Sequence, residues 1–420
     1  MTSVERREHR YQRRKQRREE KKWQSCRQYD NFRKVFSYGH LYQSYRKCRR
    51  NVAWKASVQR YIVNAPLLVY RTRKKLLTKR FKSKGFFEFD IMERGKRRHI
   101  KSVIIAERVV QRCLCDHALV PMLSRRFIYD NGASLKDKGY HFTMDRLTEH
   151  LHEYYRQYGG TGYILTYDFH GFFDHILHAL CISANHREFT DADMLWITDY
   201  FVLCFGGGMG LGLGSQVSQT YALEAANPLD HYVKESLRIK QCARYMDDGY
   251  LIHPDKDYLH NCLAGIMAVT DSLGIEINQK KTRITKLSHG FVFMKARYSL
   301  TDTGKVVKRI YKHSVTAERR KLKKFTDDRM PYEDIRASFC SWYSYAEHFA
   351  AWHTLQNMTA LFNRLYLEPF IHGKVTAMIT ENQIIVTENR EPDYGSLLIY
   401  YREEYGYETD PEGQDRTGTD

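Results

Sequence analysis

Asp247 and Asp248 are adjacent carboxylates in a mostly apolar run, Cys242-Ala243-Arg244-Tyr245-Met246-Asp247-Asp248-Gly249-Tyr250-Leu251-Ile252, which reads as two strands joined by a turn. Two acids at the tip of a buried turn repel each other and lose hydration, a cost that a cation between them offsets. Mg²⁺ suits the position, because one or two carboxylates plus substrate phosphates complete its octahedral oxygen shell. Asp-Asp-Gly is also ordinary hairpin chemistry, and on this stretch alone the two readings stand level. A third acid shifts the balance. In Tyr163-Ile164-Leu165-Thr166-Tyr167-Asp168-Phe169-His170-Gly171-Phe172-Phe173-Asp174-His175-Ile176 an apolar run ends at Asp168 and a helical pattern begins soon after. A carboxylate at a strand end, facing a hairpin with two more, can build a two-metal clamp that activates an attacking oxygen and neutralises a leaving pyrophosphate.

Asp168 with Phe172-Phe173, followed by the Tyr245-Met246-Asp247-Asp248 box in that order and spacing, resembles the catalytic palm of reverse transcriptases. The resemblance spans about residues 85–370 and implies an RNA-directed DNA polymerase, a nucleotidyltransferase with an α+β right-hand architecture of fingers, palm and thumb. It implies two Mg²⁺ ions held by Asp168, Asp247 and Asp248, with Phe169 as a further contact to metal and nucleotide and Tyr245 as a nucleotide contact. Phe173 stands where this family carries a bulky aromatic that clashes with a ribose 2′-hydroxyl, so the implied substrates are deoxynucleoside triphosphates. Asp174, one position on, reads as a structural carboxylate at a helix start. In Leu273-Gly274-Ile275-Glu276-Ile277-Asn278-Gln279-Lys280-Lys281-Thr282, Lys281 fits the family lysine that assists pyrophosphate departure as a general acid, with Lys280 in reserve.

Other blocks carry the same resemblance. Phe86–Met92 and His99–Ile105 read as strands around a basic tip, Glu93–Arg98. That tip resembles the fingers hairpin whose cations grip the incoming triphosphate: Lys96 and Arg98 are the candidates, with Arg97 as a substitute. Ala133–Gly139 resembles a fingers loop that positions template, and Gly290–Tyr298 the primer-grip hairpin. The glycine-rich stretch Gly206–Gln219 has no Walker lysine, which excludes a P-loop, and predicts a flexible loop before a helix starting near Val217. By resemblance it lies under the nascent base pair, making Gly214 and Gln219 nucleotide contacts where glycine lets the backbone approach. It departs from the common Gln-Gly-x-x-x-Ser-Pro pattern: Leu213 replaces Gln and Gln219 replaces Pro, which resembles the reverse transcriptases of diversity-generating retroelements and related bacterial groups.

The elements that must position these residues divide by composition. The 420 residues are 42% hydrophobic, enough for a core with appended subdomains, and the formal net charge of +19 calls for a polyanionic partner. Residues 1–84 hold 27 Lys plus Arg against 5 Asp plus Glu, so the remaining chain is slightly acidic. The first 22 residues are either a solvated helix or an arm that folds on nucleic acid; Arg13, Arg14, Lys15, Arg17 and Arg18 are the RNA-binding candidates. Aromatics then interleave with the basic residues from Trp23 to Lys84, some packing a helical subdomain and the surplus favouring RNA by stacking. The expected divisions are 1–84 as a basic helical RNA-binding extension, 85–165 fingers and the start of the palm, 166–300 palm, 301–372 thumb, and 373–420 a hairpin with an acidic tail.

Within these divisions a helix carrying Val109, Val110, Cys113, Leu114, Ala118 and Leu119 is expected to end near Pro121, and others to cover Phe142–Tyr158 and Tyr258–Leu273. Trp342, Tyr343, Tyr345, Phe349 and Trp352 predict a thumb core face, with Lys321, Lys323 and Lys324 beside duplex phosphates. Nine unpaired-looking cysteines argue for a reducing, cytoplasmic setting, and Cys113-Leu114-Cys115-Asp116-His117 reads as core rather than zinc ligands. No membrane partner is expected: the uncharged span Tyr200–Leu223 contains six glycines.

A compact chain with a basic aromatic extension, a short tail and no Cys/His endonuclease segment after the thumb is most similar to the defence-associated reverse transcriptases of bacteria, in particular the type 2 group. That implies antiphage defence, with a structured noncoding RNA as scaffold and template, copied repeatedly into concatenated complementary DNA. The alternatives are an error-prone polymerase of a diversity-generating retroelement and a catalytically silent RNA-binding scaffold.

Overall fold

The computed structural model describes residues 2–93, 96–366, 370, 374–380 and 383–389, with Glu93, Lys96 and the last two spans described as backbone only. Two compact units divide the chain, one of Met1–Met294 with Tyr298–Val307, the other of Lys295–Arg297 with Lys308–Asp420.

The first unit opens with a helix, α1 (Ser3–Tyr29), that buries none of its residues. It starts because Thr2 and Glu5 form a reciprocal capping box that satisfies two orphan N–H groups. The interleaved aromatics after it sort into two sets. Phe32, Phe36, Tyr45 and Tyr61 are buried in one core with Val109, Cys113 and Leu114, while Trp54 and Tyr70 stay exposed. An antiparallel hairpin follows, β1 (Phe87–Glu93) and β2 (Lys96–Ser102), paired from Phe87↔Ser102 to Glu93↔Lys96. The strands run through the expected basic tip, so Arg97 and Arg98 lie within β2, opposite Met92 and Ile91. The helix that opens at Ile105 runs to Leu123, two residues past the end expected near Pro121. It widens into a π-helical turn at Cys115–Leu119 and resumes as Val120–Leu123. Pro121 follows directly on that wide turn, where the shifted hydrogen-bond ladder accommodates a residue without an N–H. Helix Tyr140–Tyr158 stops where Gly159 takes a left-handed φ of 75°.

The central sheet has the order β4 (Cys242–Tyr245), β5 (Asp248–His253), β3 (Tyr163–His170) and β6 (Glu276–Ile277), with β7 (Arg283–Lys286) also pairing β3. Its neighbours are antiparallel, and β3 sits between them, burying Ile164, Leu165, Tyr167 and Phe169. The amphipathic helix Lys256–Ser272 carries the chain from β5 to β6 and buries Leu259, Cys262 and Ile266. Helix Gln216–Ala225 is enclosed over almost its whole length.

In the second unit, helices Lys312–Asp327, Tyr332–Glu347 and Trp352–Tyr366 bury Leu322, Ile335, Phe339, Trp342, Met358 and Phe362 together. Trp342 and Phe349 are buried as expected, but Trp352 is exposed, because it opens its helix with most of its ring outside the three-helix core. The alternating segments after Gly373 pair as an antiparallel hairpin, Lys374–Thr380 with Gln383–Asn389. The acidic tail from Glu391 lies outside the described residues. Among the described residues no helix is long and apolar enough to cross a membrane.

Candidate active site

The register of β3 against β5 ends with Asp168 directly opposite Asp248. The β4–β5 turn consists of Met246 and Asp247 alone, since Tyr245 pairs with Asp248. The two acids therefore do not both sit at the tip: Asp247 is in the turn and Asp248 is the first residue of the returning strand. The turn residue with a left-handed backbone is Met246, at φ 52°, a conformation that costs an L residue energy unless its surroundings hold it. Gly249 is not turn chemistry at all. It lies in β5, where a Cβ would run into the Tyr167 ring. The Phe169 N–H donates to the Asp247 carbonyl at 3.1 Å, tying the turn to β3.

Arg244 holds the other side of the turn. Its guanidinium, 1% exposed, donates from Nε and Nη2 to the two Asp230 carboxylate oxygens at 2.7 Å each, and from Nη1 to the Met246 carbonyl at 2.8 Å. Nη2 also donates to the Leu223 carbonyl at 3.2 Å, so the planar fork satisfies a buried carboxylate and two backbone acceptors at once. Neither Arg244 nor Asp230 was expected as part of the site; the signal was an arginine inside an apolar strand, a place charges occupy only when paired.

The three carboxylates are crowded. Asp168 is 5% exposed, and Lys281 Nζ donates to both of its oxygens, at 2.7 and 2.6 Å. Asn278 adds a side-chain bond to Asp168 Oδ1 at 3.0 Å and a backbone bond to its carbonyl at 2.8 Å. Burial, then the charges of Asp247 and Asp168, push the Asp248 carboxyl up to about 7. Asp247 is raised too, first by burial and then by Asp168, against a hydrogen bond from its own N–H and the charges of Lys281 and Arg98. With Asp168 beside them, these two raised acids form an oxygen-only donor set suited to a hard divalent cation.

The other expected contacts are placed as follows. Lys280 is exposed. Arg97 donates to Asp90, and Arg98 acts electrostatically on Asp247. The Lys96 side chain lies outside the described residues. Phe173 is half-buried on the short helix Phe172–His175, edge to face with buried Phe172, and its carbonyl accepts from Leu211 at 2.7 Å. Phe169 is a buried ring packed on Phe172. Tyr245 lies edge-on to Tyr140.

The glycine-rich segment is pinned rather than loose. Leu213 accepts from the Lys101 N–H at 2.9 Å, and a Cβ on Gly212 would come within 2.8 Å of Lys101 Cβ, so this glycine serves close packing against β2. Gly214 is left-handed, at φ 106°, against Ile100. Exposed Gln219 accepts from Ser134 Oγ at 3.4 Å. Gly214, Gln219 and Ser134 line a cavity of about 410 Å³ together with Arg108 and Arg112. Arg13, Arg14, Lys15, Arg17 and Arg18 are all exposed on α1.

Residues 93–309, just over half of the chain, match a family described as "Reverse transcriptase (RNA-dependent DNA polymerase)". A search of curated proteins returned no match.

Proposed function

We propose, since the chain belongs to the reverse transcriptase family and is an RNA-directed DNA polymerase, that Asp168, Asp247 and Asp248 are its catalytic carboxylates and hold two Mg²⁺ ions. The observation that carries this is the cross-strand pair Asp168–Asp248 with Asp247 in the adjoining turn, a cluster whose mutual repulsion a divalent cation relieves. When bound, the ions activate the primer hydroxyl and neutralise the developing charge on the phosphates. The protein's own part is to hold the geometry. Arg244 fixes the turn, Asn278 orients Asp168, and Lys281, half-exposed beside Asp168, donates from Nζ to the departing pyrophosphate. Phe173 screens the sugar, Arg98 and Lys96 meet the triphosphate, and Phe169, Tyr245, Gly214 and Gln219 border the incoming nucleotide. In this reading residues 85–165, 166–300 and 301–372 are fingers, palm and thumb.

The partner proposed for residues 1–84 is a structured noncoding RNA, bound as scaffold and copied into complementary DNA in antiphage defence. Its support is a basic helix with no buried residue, whose C-terminal Cys26 and Tyr29 alone among its residues pack against the core, together with the resemblance to defence-associated enzymes. Leu213 and Gln219 favour a second reading, an error-prone retroelement polymerase. The test is to purify the chain, sequence the RNA and DNA that accompany it, and assay Mg²⁺-dependent deoxynucleotide incorporation on that RNA. One structured RNA with its repeated complement supports the first reading, and a high error frequency in the copy the second. Incorporation that survives in an Asp247→Ala, Asp248→Ala double variant overturns the carboxylate assignment.

A further inference from the structure

Beyond Asp168, β3 runs on to His170, which pairs in register with Glu276 of β6. His170 Nδ1 lies 3.2 Å from Glu276 Oε2. Gly171 then adopts a left-handed φ of 53° and folds the chain so that the His175 ring lies against it; a Cβ there would stand 3.1 Å from His175 Cε1. The rings of His170 and His175 are nearly parallel, with centroids 6.2 Å apart. His175 Nδ1 donates to the His170 carbonyl at 3.1 Å. Since a carbonyl only accepts, this bond places a proton on Nδ1 and leaves Nε2 as the nitrogen that would meet a metal, the arrangement that orients metal-binding histidines.

One ligand atom from each of His170, His175 and Glu276 lies within 4.8 Å of the others. Around a tetrahedral ion with bonds of about 2.1 Å the ligand atoms stand about 3.4 Å apart. The difference is within reach of side-chain rotation, because His170 and Glu276 are 61% and 66% exposed and not locked by packing. We propose that these three residues form a transition-metal site, distinct from the carboxylate cluster, that takes Zn²⁺. Two imidazoles and one carboxylate select a late first-row ion over Mg²⁺, which prefers oxygen alone, and three protein ligands leave one coordination position for water. The competing reading is an exposed His–Glu ion pair, which needs neither the third residue nor the fixed tautomer. The ion ties together a strand end, a left-handed turn and a neighbouring strand, so its binding stiffens the segment that carries Phe172 and Phe173.

The experiment uses the full chain, stripped of metal and held in millimolar Mg²⁺ so that oxygen-only sites are filled. Zn²⁺ is titrated against a chromophoric chelator, and Co²⁺ is added separately as a spectroscopic probe. The expected result is one Zn²⁺ per chain, with a visible Co²⁺ band that Zn²⁺ abolishes. His175→Ala and Glu276→Gln each weaken Zn²⁺ binding more than about tenfold. An Asp168→Asn, Asp247→Asn, Asp248→Asn variant retains it. Melting curves in metal-free buffer, unchanged for the His175 and Glu276 variants, show that they are folded. Zn²⁺ affinity equal to wild type in the His175 and Glu276 variants, or lost in the triple aspartate variant, overturns the proposal.

Discussion

At the scale of single residues, the chemistry rests on charge placed where it is costly. The Asp248 carboxyl, pushed up to about 7 by burial and by Asp247 and Asp168, favours its protonated form in the folded chain. For an acid raised on folding, the associated stability is complete below the unfolded value of about 3.9 and is lost as pH climbs through about 7. Metal-free protein should thus lose stability between pH 4 and 7, and Asp248→Asn should remove the share of that loss that Asp248 carries. At pH 8 the variant should be more stable than wild type by at most about 4 kcal/mol, read from urea denaturation, while incorporation disappears. A less stable variant would show that the carboxylate is not strained. Phe173 supplies a second residue-level expectation. Phe173→Ala should admit ribonucleotides with little loss of melting temperature, whereas Phe172→Ala, deep in the core, should cost about 3–5 kcal/mol. Ribonucleotide discrimination measured by competitive incorporation and left unchanged by Phe173→Ala would place the sugar gate elsewhere.

At the scale of the element, the β4–β5 hairpin depends on one buried ion pair. Removing Arg244 leaves Asp230 buried and uncompensated, so Arg244→Ala should cost about 3–5 kcal/mol. Replacing both partners, Arg244→Met with Asp230→Leu, should restore most of that stability, because two desolvated charges are exchanged for apolar packing. The double variant should nevertheless incorporate nucleotides poorly, since the Met246 carbonyl loses its guanidinium partner and only the Phe169 N–H bond to Asp247 still ties the left-handed turn. Equal recovery of stability and of rate, by denaturation and primer extension on one preparation, would show that Arg244 serves folding alone.

At the scale of the whole molecule, positive charge is segregated into residues 1–84 rather than spread around the carboxylates. Because α1 buries none of its residues, Arg13, Arg14, Lys15, Arg17 and Arg18 can all be changed to Gln without disturbing a core. Affinity for the accompanying RNA should fall, and the slope of log affinity against log salt should become shallower by up to about 4, as fewer counterions are released. Extension of a short exogenous primer-template should persist. Unchanged RNA affinity in filter binding at moderate salt would assign that contact to the exposed aromatics, Trp54 and Tyr70 among them.

Much of this was legible in the sequence where it depends on neighbours along the chain. The strand–turn–strand around Asp247 and Asp248, the stop at Gly159, the helix beginning beside Val217 and the core position of Cys113 and Cys115 follow from alternation, glycine's dihedral freedom and hydrophobic periodicity, which act within a few residues. The tertiary structure decided what depends on partners far apart in sequence. It set Asp168 opposite Asp248 and put Lys281 on the Asp168 carboxylate. It explained Arg244 by Asp230, turned Gly249 and Gly212 from loop formers into close-packing residues, and carried a helix past Pro121 through a π turn. The physical reason is that local patterns specify backbone conformation. The burial and charge compensation that make a carboxylate reactive exist only once separate segments exclude water together.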